Sequence, residues 1–163
     1  MGFVKKLLVY IDGTEGSIIA AKYGMALAKL TEAEFHVLYV INTRALSELV
    51  NTKIFLKEEE EEYKKDIESD ADKYLNFVRH LASEKGVDAK TSKTSGTINI
   101  EVKSYVKENN IDLLIVSELS ISKIQSRRDE LYNESDRVLR SVTCSVLILK
   151  NEERVLELYN QLT

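Results

Sequence analysis

Two hydrophobic rhythms alternate along this chain. Leu7 to Ile11 is an unbroken apolar run of strand length, and Asp12-Gly13-Thr14 supplies turn chemistry directly after it. Ile19, Tyr23, Ala26, Leu27 and Leu30 then recur at the spacing of one helix face. Phe35 to Ile41 predicts a second buried strand, broken only by His36 and Tyr39. Asn42 to Phe55 keeps no period and predicts a loop with some helical turns. From Leu56 the helical rhythm returns: Tyr63, Ile67, Ala71, Tyr74, Val78 and Leu81 mark one long amphipathic helix, which Gly86 is placed to end.

The chain has no proline, and its six glycines stop at Gly96, so the later boundaries rest on periodicity. Asp88 to Thr94 is a short polar segment with the character of an edge strand. Ile98 to Asn109 predicts a helix with Ile98, Val102, Tyr105 and Val106 inward, ended by Asn109-Asn110. Leu113 to Ser117 reads as a fully buried parallel strand, Asn133 to Ser141 as a short helix, Ser145 to Lys150 as a fifth strand and Glu152 to Leu162 as a terminal helix. Strands that alternate with helices require a parallel sheet with right-handed crossovers. The expected fold is α/β, a single doubly wound parallel sheet of five strands. One domain spans residues 1–163, with its core over about 4–150 and a C-terminal helical extension over 151–163.

Composition narrows the partners. At 163 residues and 44% apolar, the chain can bury one proper core and is too short for two comfortable ones. Its 23 basic residues against 27 acidic ones give a charge of −4, with no basic run longer than Arg127-Arg128. Neither nucleic acid nor an anionic membrane is an expected partner. No stretch approaches the roughly 20 apolar residues of a membrane span. Cys144 is the lone cysteine, so no disulfide framework exists, and Met1-Gly2-Phe3 leads into a strand without the layout of a secretory signal. The expected localisation is cytoplasmic. The run Glu58 to Glu62 reads as a solvated helix face, since Glu60-Lys64 and Glu61-Lys65 have favourable i,i+4 order, or as a cation-binding tract.

Open α/β sheets hold ligands beyond the carboxyl ends of their strands, which here carry Asp12 and Ser117. Asp12 is placed either to accept hydrogen bonds from a ribose or base amine, or to cap the turn. After Ser117 no glycine follows, although phosphate-cradling loops use glycine for close backbone approach. Catalysis has thin support, and no catalytic or metal-binding residue is assigned. Cys144 stands at the threshold of a buried strand, where cysteine is usually a small hydrophobe. His36 and His80 share no motif with it, and no HExxH, paired-cysteine or G-x-S-x-G pattern occurs.

The succession of segments is recognisable. Leu7-Leu8-Val9-Tyr10-Ile11-Asp12-Gly13-Thr14, the helix through Ala20 to Leu30, and Val37-Leu38-Tyr39-Val40 resemble the opening of the universal stress protein family. Gly96 to Ile100, Asp112-Leu113-Leu114-Ile115-Val116, and Asp136-Arg137-Val138-Leu139-Arg140 through Cys144-Ser145-Val146-Leu147-Ile148 resemble its second half, in order. The resemblance implies helices on both faces of the sheet, an adenine-nucleotide alpha hydrolase-like arrangement, and a homodimer through the last strand at Val146, Leu147, Ile148 and Leu149. The terminal helix would then cover either its own sheet or the partner subunit.

Nucleotide-binding members of the family carry a glycine, two residues, a second glycine, nine residues, and then glycine with serine or threonine. Here the first two positions fall on Ser117 and Ser120 and the last pair on Tyr132 and Asn133, with eleven residues between. Side chains at Ser117, Ser120 and Tyr132 would crowd the anion, and any positive-φ position would cost on the order of 1 kcal/mol or more. Glu118 adds an acid nearby. The expectation is a member that binds no ATP and serves as a stress-response interaction module with unidentified protein partners. The alternative is an adenine-nucleotide (ATP, ADP or AMP) regulatory protein or weak ATPase, with ATP and Mg as cofactor. It would use Tyr10, Ile11, Asp12 and Val40, of which Asp12 and Val40 match the family's adenine side, together with Val116, Ser117, Ser120, Asn133 and Ser135. Arg127 and Arg128 would then meet phosphate oxygens in place of backbone amides, and Asp12 would be the first residue to test for hydrolysis.

Overall fold

The computed structural model describes residues 4–43, 57–117 and 134–163. Within them the chain runs β1 (Lys6–Ile11), α1 (Glu15–Thr31), β2 (Glu34–Asn42), α2 (Lys57–Glu84), β3 (Ala89–Gly96), α3 (Ile98–Glu108), β4 (Leu113–Ser117), α4 (Glu134–Ser141), β5 (Ser145–Leu149) and α5 (Glu152–Gln161). All strand pairs are parallel, in the order β3-β2-β1-β4-β5. The expected edge strand before Gly96 is β3, paired with β2 from Phe35↔Ala89 to Asn42↔Gly96. The loop expected from Asn42 lies, past residue 43, outside the described residues.

Consecutive strand residues point to opposite faces, and Leu7, Leu8 and Val9 of β1 are all fully buried. Both faces of the sheet therefore need a helical layer. Leu7, Val9, Phe35, Val37, Ile115 and Leu149 join residues of α1, α2 and α5 in one cluster. Leu8, Leu38, Val40, Leu114 and Val116 pack with Val102 and Val106 of α3 and Val138 of α4 in the other. The winding reverses at β1, because β2 and β3 follow on one side of it and β4 and β5 lie on the other.

The two strands at the reversal are tied at one end only. The Asp112 carboxylate accepts from the backbone N–H groups of Lys5 and Lys6, both at 2.9 Å, and its own N–H donates to the Lys6 carbonyl at 3.0 Å. The β1–β4 ladder then covers Leu7↔Leu113 and Leu8↔Leu114, whereas β1 and β2 stay in register from Lys6↔Glu34 to Ile11↔Tyr39. Past Leu8 and Leu114 the strands part, and a crevice opens toward their carboxyl ends.

Two helix faces differ from the sequence expectation. Of the expected α1 positions Ile19 and Ala26 are buried and Tyr23 and Leu27 pack against the core, but Leu30 is 75% exposed, and Ala20, Ala21, Met25 and Ala28 complete the face on the sheet. On α2 the buried positions are Ala71, Leu75, Val78 and Ala82, while Tyr74 is 36% exposed. Spacings of three and four fit two adjacent faces of one helix, and small side chains won because the helices stand close to the strands. Before Ala71, none of the described side chains of α2 is buried. A helix of 28 residues is about 42 Å long, more than the roughly 30 Å that a nine-residue strand spans. Its surplus turns carry the glutamates, with Glu60 paired to Lys64 at 3.0 Å.

The terminal helix packs in cis. Val155 and Tyr159 are buried in the α1-side cluster, with Leu156 and Leu162 against it. The ammonium groups of Lys22 and Lys85 lie 5.0 and 4.7 Å from the centre of the Tyr159 ring.

Gly24 sets the distance between α1 and the sheet. A Cβ there would lie 2.5 Å from Phe35 Cε1 and 3.2 Å from Val9 Cγ2. Gly24→Val is therefore expected to lower stability by about 1–3 kcal/mol, read as a lower urea midpoint at unchanged m value. A midpoint equal to wild type would mean that α1 stands farther off than this contact implies.

Candidate functional site

At the carboxyl end of β1 the chain must turn at once into α1. Gly13 takes φ +81°, and a Cβ there would fall 2.6 Å from the Tyr74 ring, so a side chain is opposed by both strain and volume. Asp12 Oδ1 accepts from the Thr14 N–H at 2.9 Å and from the Thr14 hydroxyl at 2.6 Å. Thr14 is the N-cap of α1, and its Oγ1 accepts from the Ser17 N–H at 3.3 Å. Ser17 Oγ donates to the Thr14 carbonyl at 2.9 Å and accepts from the Asp12 N–H at 3.3 Å. This closed ring of bonds commits one Asp12 oxygen to the turn. Tyr74 also stacks on Tyr39, ring centres 6.3 Å apart. Burial first, and then the charge of Asp12, raises the Tyr39 phenol above its ordinary pKa.

Ser117 ends β4, 1% exposed, and its hydroxyl donates to Glu152 Oε1 at 3.1 Å. Glu152 opens α5, whose N-cap Asn151 accepts from the Arg154 N–H at 3.0 Å. A carboxylate from the last helix thus stands at the end of the fourth strand. Between β1 and β4 lies a cavity of about 10 Å³, lined by Tyr10, Asp12, Ser17, Ala20, Ile115, Val116 and Ser117. That is room for about one water molecule. Larger grooves, of 570 and 450 Å³, share Gly86, Val87 and Asp88 and flank the amino-terminal ends of β2 and β3, away from this crevice.

Of the residues singled out for nucleotide contact, Tyr10, Asp12, Val116 and Ser117 meet at this crevice. Ile11 is buried in the α1-side cluster and Val40 in the α3-side cluster, so both serve the core. Ser135 lies in α4, while Glu118, Ser120, Arg127, Arg128, Tyr132 and Asn133 lie outside the described residues. The residues proposed for pairing lie on β5, an edge of the sheet. There Val146 and Leu147 are half-buried, Leu149 is buried and Ile148 is 41% exposed. Sequence reasoning missed Ser17, Tyr74 and Glu152 as parts of this site. Glu152 lies 35 residues from Ser117, and only the return of the chain through β5 brings the two together.

The chemistry-bearing residues elsewhere stay apart. His36 on β2 and Cys144 at the start of β5 are separated by β1 and β4, roughly 14 Å at the usual strand spacing. Burial raises the Cys144 thiol pKa, against a nucleophilic role. His80 faces Glu84 at 2.9 Å on the exposed side of α2. Among the described residues no group of three or more His, Cys, Asp and Glu is placed to hold a metal ion, and no helix is long and apolar enough to cross a membrane.

A doubly wound parallel sheet with polar side chains gathered where its winding reverses defines the class of α/β proteins that place ligands at a topological switch point. Within that class the model of the universal stress protein family matches residues 4–150, and the chain belongs to that family. It is 30% identical to universal stress protein YxiE of Bacillus subtilis over 147 residues, covering 89% of this chain and 98% of that one. Among solved structures it is similar to protein MJ0577, with a TM-score of 0.70 and 22% identity over 91% of this chain and 96% of that one. It is also similar to a universal stress protein family member from Arabidopsis thaliana with AMP bound, with a TM-score of 0.62, 15% identity and coverage of 92% and 94%. A further match is a universal stress protein in complex with cAMP, with a TM-score of 0.59 and 17% identity over 90% of this chain and 97% of that one. At these identities the structural matches establish the fold alone.

His36 gives the fold a pH dependence. Its Nδ1 pairs with the Tyr105 hydroxyl at 2.7 Å, and burial first, then Lys6, lowers its pKa. The Glu34 carboxylate, 3.6 Å from Nε2, is beyond hydrogen-bond range and is shared with Lys6 and Lys90, so it does not reverse the shift. The unfolded chain then takes up this proton first, near pH 6.5. Stability from this residue is full above that pH and is lost as the pH falls from there through the folded pKa. Urea midpoints measured from pH 7.5 downward are expected to decline below pH 6.5, and less steeply in His36→Gln. Equal slopes in the two proteins would assign the pH dependence to other groups.

Proposed function

We propose that this protein is a cytoplasmic regulatory universal stress protein that acts as a homodimeric interaction module and does not take ATP at its switch point. The observation that carries this reading is the crevice itself: about 10 Å³, lined by Tyr10, Asp12, Ser17 and Ser117 among others, with the Glu152 carboxylate on the Ser117 hydroxyl. ATP with magnesium does not fit these residues. An adenine alone needs many times that volume, and a triphosphate would meet carboxylates at Asp12 and Glu152. The direct test is isothermal titration of nucleotide-free protein with ATP and magnesium. No binding in the micromolar range is expected, and a micromolar Kd would reject the reading.

A second reading, an adenine-nucleotide regulator, draws support from the relatives solved with AMP and with cAMP. It would engage Tyr10, Asp12 and Val116 at the crevice. The same titration with AMP and cAMP distinguishes it, because these ligands carry the adenine with a single phosphate.

Pairing through β5 is supported by its edge position and by Ile148, a large apolar side chain left in water. In a two-fold dimer each Ile148 would be buried against its twin's edge strand. Ile148→Lys places two like charges there, so light scattering is expected to shift from dimer to monomer mass. An unchanged dimer would move the interface elsewhere.

A further inference from the structure

We propose that the hydrogen-bond relay from Ser92 through Tyr105 to His36 is an acid-sensitive latch of α3, wired for a neutral imidazole and released when a proton binds to it. The latch is independent of what the β1–β4 crevice admits. Its basis is the direction of the bonds. Glu34 Oε2 stands 3.6 Å from His36 Nε2, so a lone pair there would face a carboxylate, and the ring proton of the neutral form belongs on Nε2. Nδ1 then accepts from the Tyr105 hydroxyl at 2.7 Å, and the Tyr105 oxygen accepts from the Ser92 hydroxyl. The relay thus runs from β3 through α3 to β2. A second proton, taken from solvent, binds at Nδ1 and turns that acceptor into a donor. Tyr105, whose oxygen already accepts from Ser92, must then accept from Nδ1 as well and carry its own hydrogen away from the ring.

The surroundings do not offset the added charge. His36 is 5% exposed, and among the described residues its Nε2 has no hydrogen-bond partner. Lys6 of β1 and Lys90 of β3 oppose an imidazolium, and the carboxylate of Glu34 on β2 is already shared with both ammonium groups. The element that yields is α3. Its buried residues are Val102 and Val106, whereas β2 is paired along both sides by β1 and β3. The Tyr105 ring also covers the imidazole edge-on, with ring centres 5.7 Å apart. Lifting α3 therefore brings water to a charged His36 without breaking the sheet. Burial first, and then Lys6, holds the imidazole below its ordinary pKa, so the latch is closed above pH 6.5 and weakens as the pH falls from there.

The test is hydrogen exchange of the full-length chain at pH 7.5 and pH 5.5, followed by mass spectrometry and corrected for the intrinsic pH dependence of exchange. Opening of α3 is expected to rise several-fold at the lower pH, with about tenfold as the ceiling for one proton taken up one unit below pH 6.5. Peptides of β1 and β4 are expected to keep their protection. Unchanged exchange of α3, or loss of protection in β1 and β4 in step with it, overturns the latch. His36→Gln, whose amide does not titrate, is expected to abolish the rise, and a rise equal to wild type in the folded variant overturns the proposal. Where that variant does not fold, wild type alone decides. Nitrogen chemical shifts of the imidazole at pH 7.5 are expected to place the proton on Nε2, and a proton on Nδ1 reverses the relay and rejects the latch.

Discussion

Burial of β1 on both faces is the constraint from which the rest of this structure follows. Leu7, Leu8 and Val9 are adjacent, point in alternate directions and are all withdrawn from water, so one helical layer cannot satisfy them. Covering both faces forces the chain to wind one way through β2 and β3 and the other way through β4 and β5. The reversal brings the carboxyl ends of β1 and β4 side by side, and the Asp112 clamp at their amino ends leaves the other ends free to part. The crevice is thus a by-product of how the core is closed. Its size is set by the same packing, because the close seat of α1 that Gly24 permits also presses Ser17 and Ala20 against the crevice wall.

Hydrogen-bond accounting bears on the proposed reading of this crevice. A site built to receive an anion keeps donors that the ligand completes, and leaving them unmet in the free protein is part of its design. Among the described side chains at this crevice, three hydroxyls already have partners. The Thr14 and Ser17 hydroxyls are committed to Asp12 and the turn, and the Ser117 hydroxyl to Glu152. A ligand would have to break these bonds before making its own, which subtracts from any affinity its contacts supply. The most exposed apolar side chains lie elsewhere, at Leu30 on α1, Phe77 on α2, Ile100 on α3 and Ile148 on the β5 edge.

Most of the fold was legible in the sequence because each element carries its own period. The strand runs at Leu7, Phe35, Leu113 and Ser145 all became strands, and Thr14 caps α1 directly after the expected turn. The inner faces of α1 and α2 were read correctly at Ile19, Ala26, Ala71 and Val78 but missed at Leu30 and Tyr74, for a physical reason. Hydrophobicity favours Leu30 and Tyr74 as core residues, whereas a helix that packs tightly on a sheet presents alanine and glycine and leaves bulk at its flanks. The candidate site was half legible. Asp12 and Ser117 follow from strand ends, which are local features, but Tyr74 over Gly13 and Glu152 on Ser117 are set by how separate elements dock. No periodicity encodes a contact between the start of the last helix and the end of the fourth strand.

That distinction bears on how family likeness should be read for this chain. The sheet and its winding reversal belong to residues 4–150, the part that matches the family, and the fold is common property with relatives that differ from this chain at most positions. What a switch-point crevice admits is decided by a few side chains at strand ends and by whatever packs over them, and these change without disturbing the sheet. Here α5 stands on α1 through Val155 and Tyr159, burial that stabilises the fold by an amount on the order of a few kcal/mol and holds a carboxylate against β4 as a consequence. The stability of the core and the placement of that carboxylate beside Ser117 are then coupled through one helix, so a change that loosens α5 from α1 alters both.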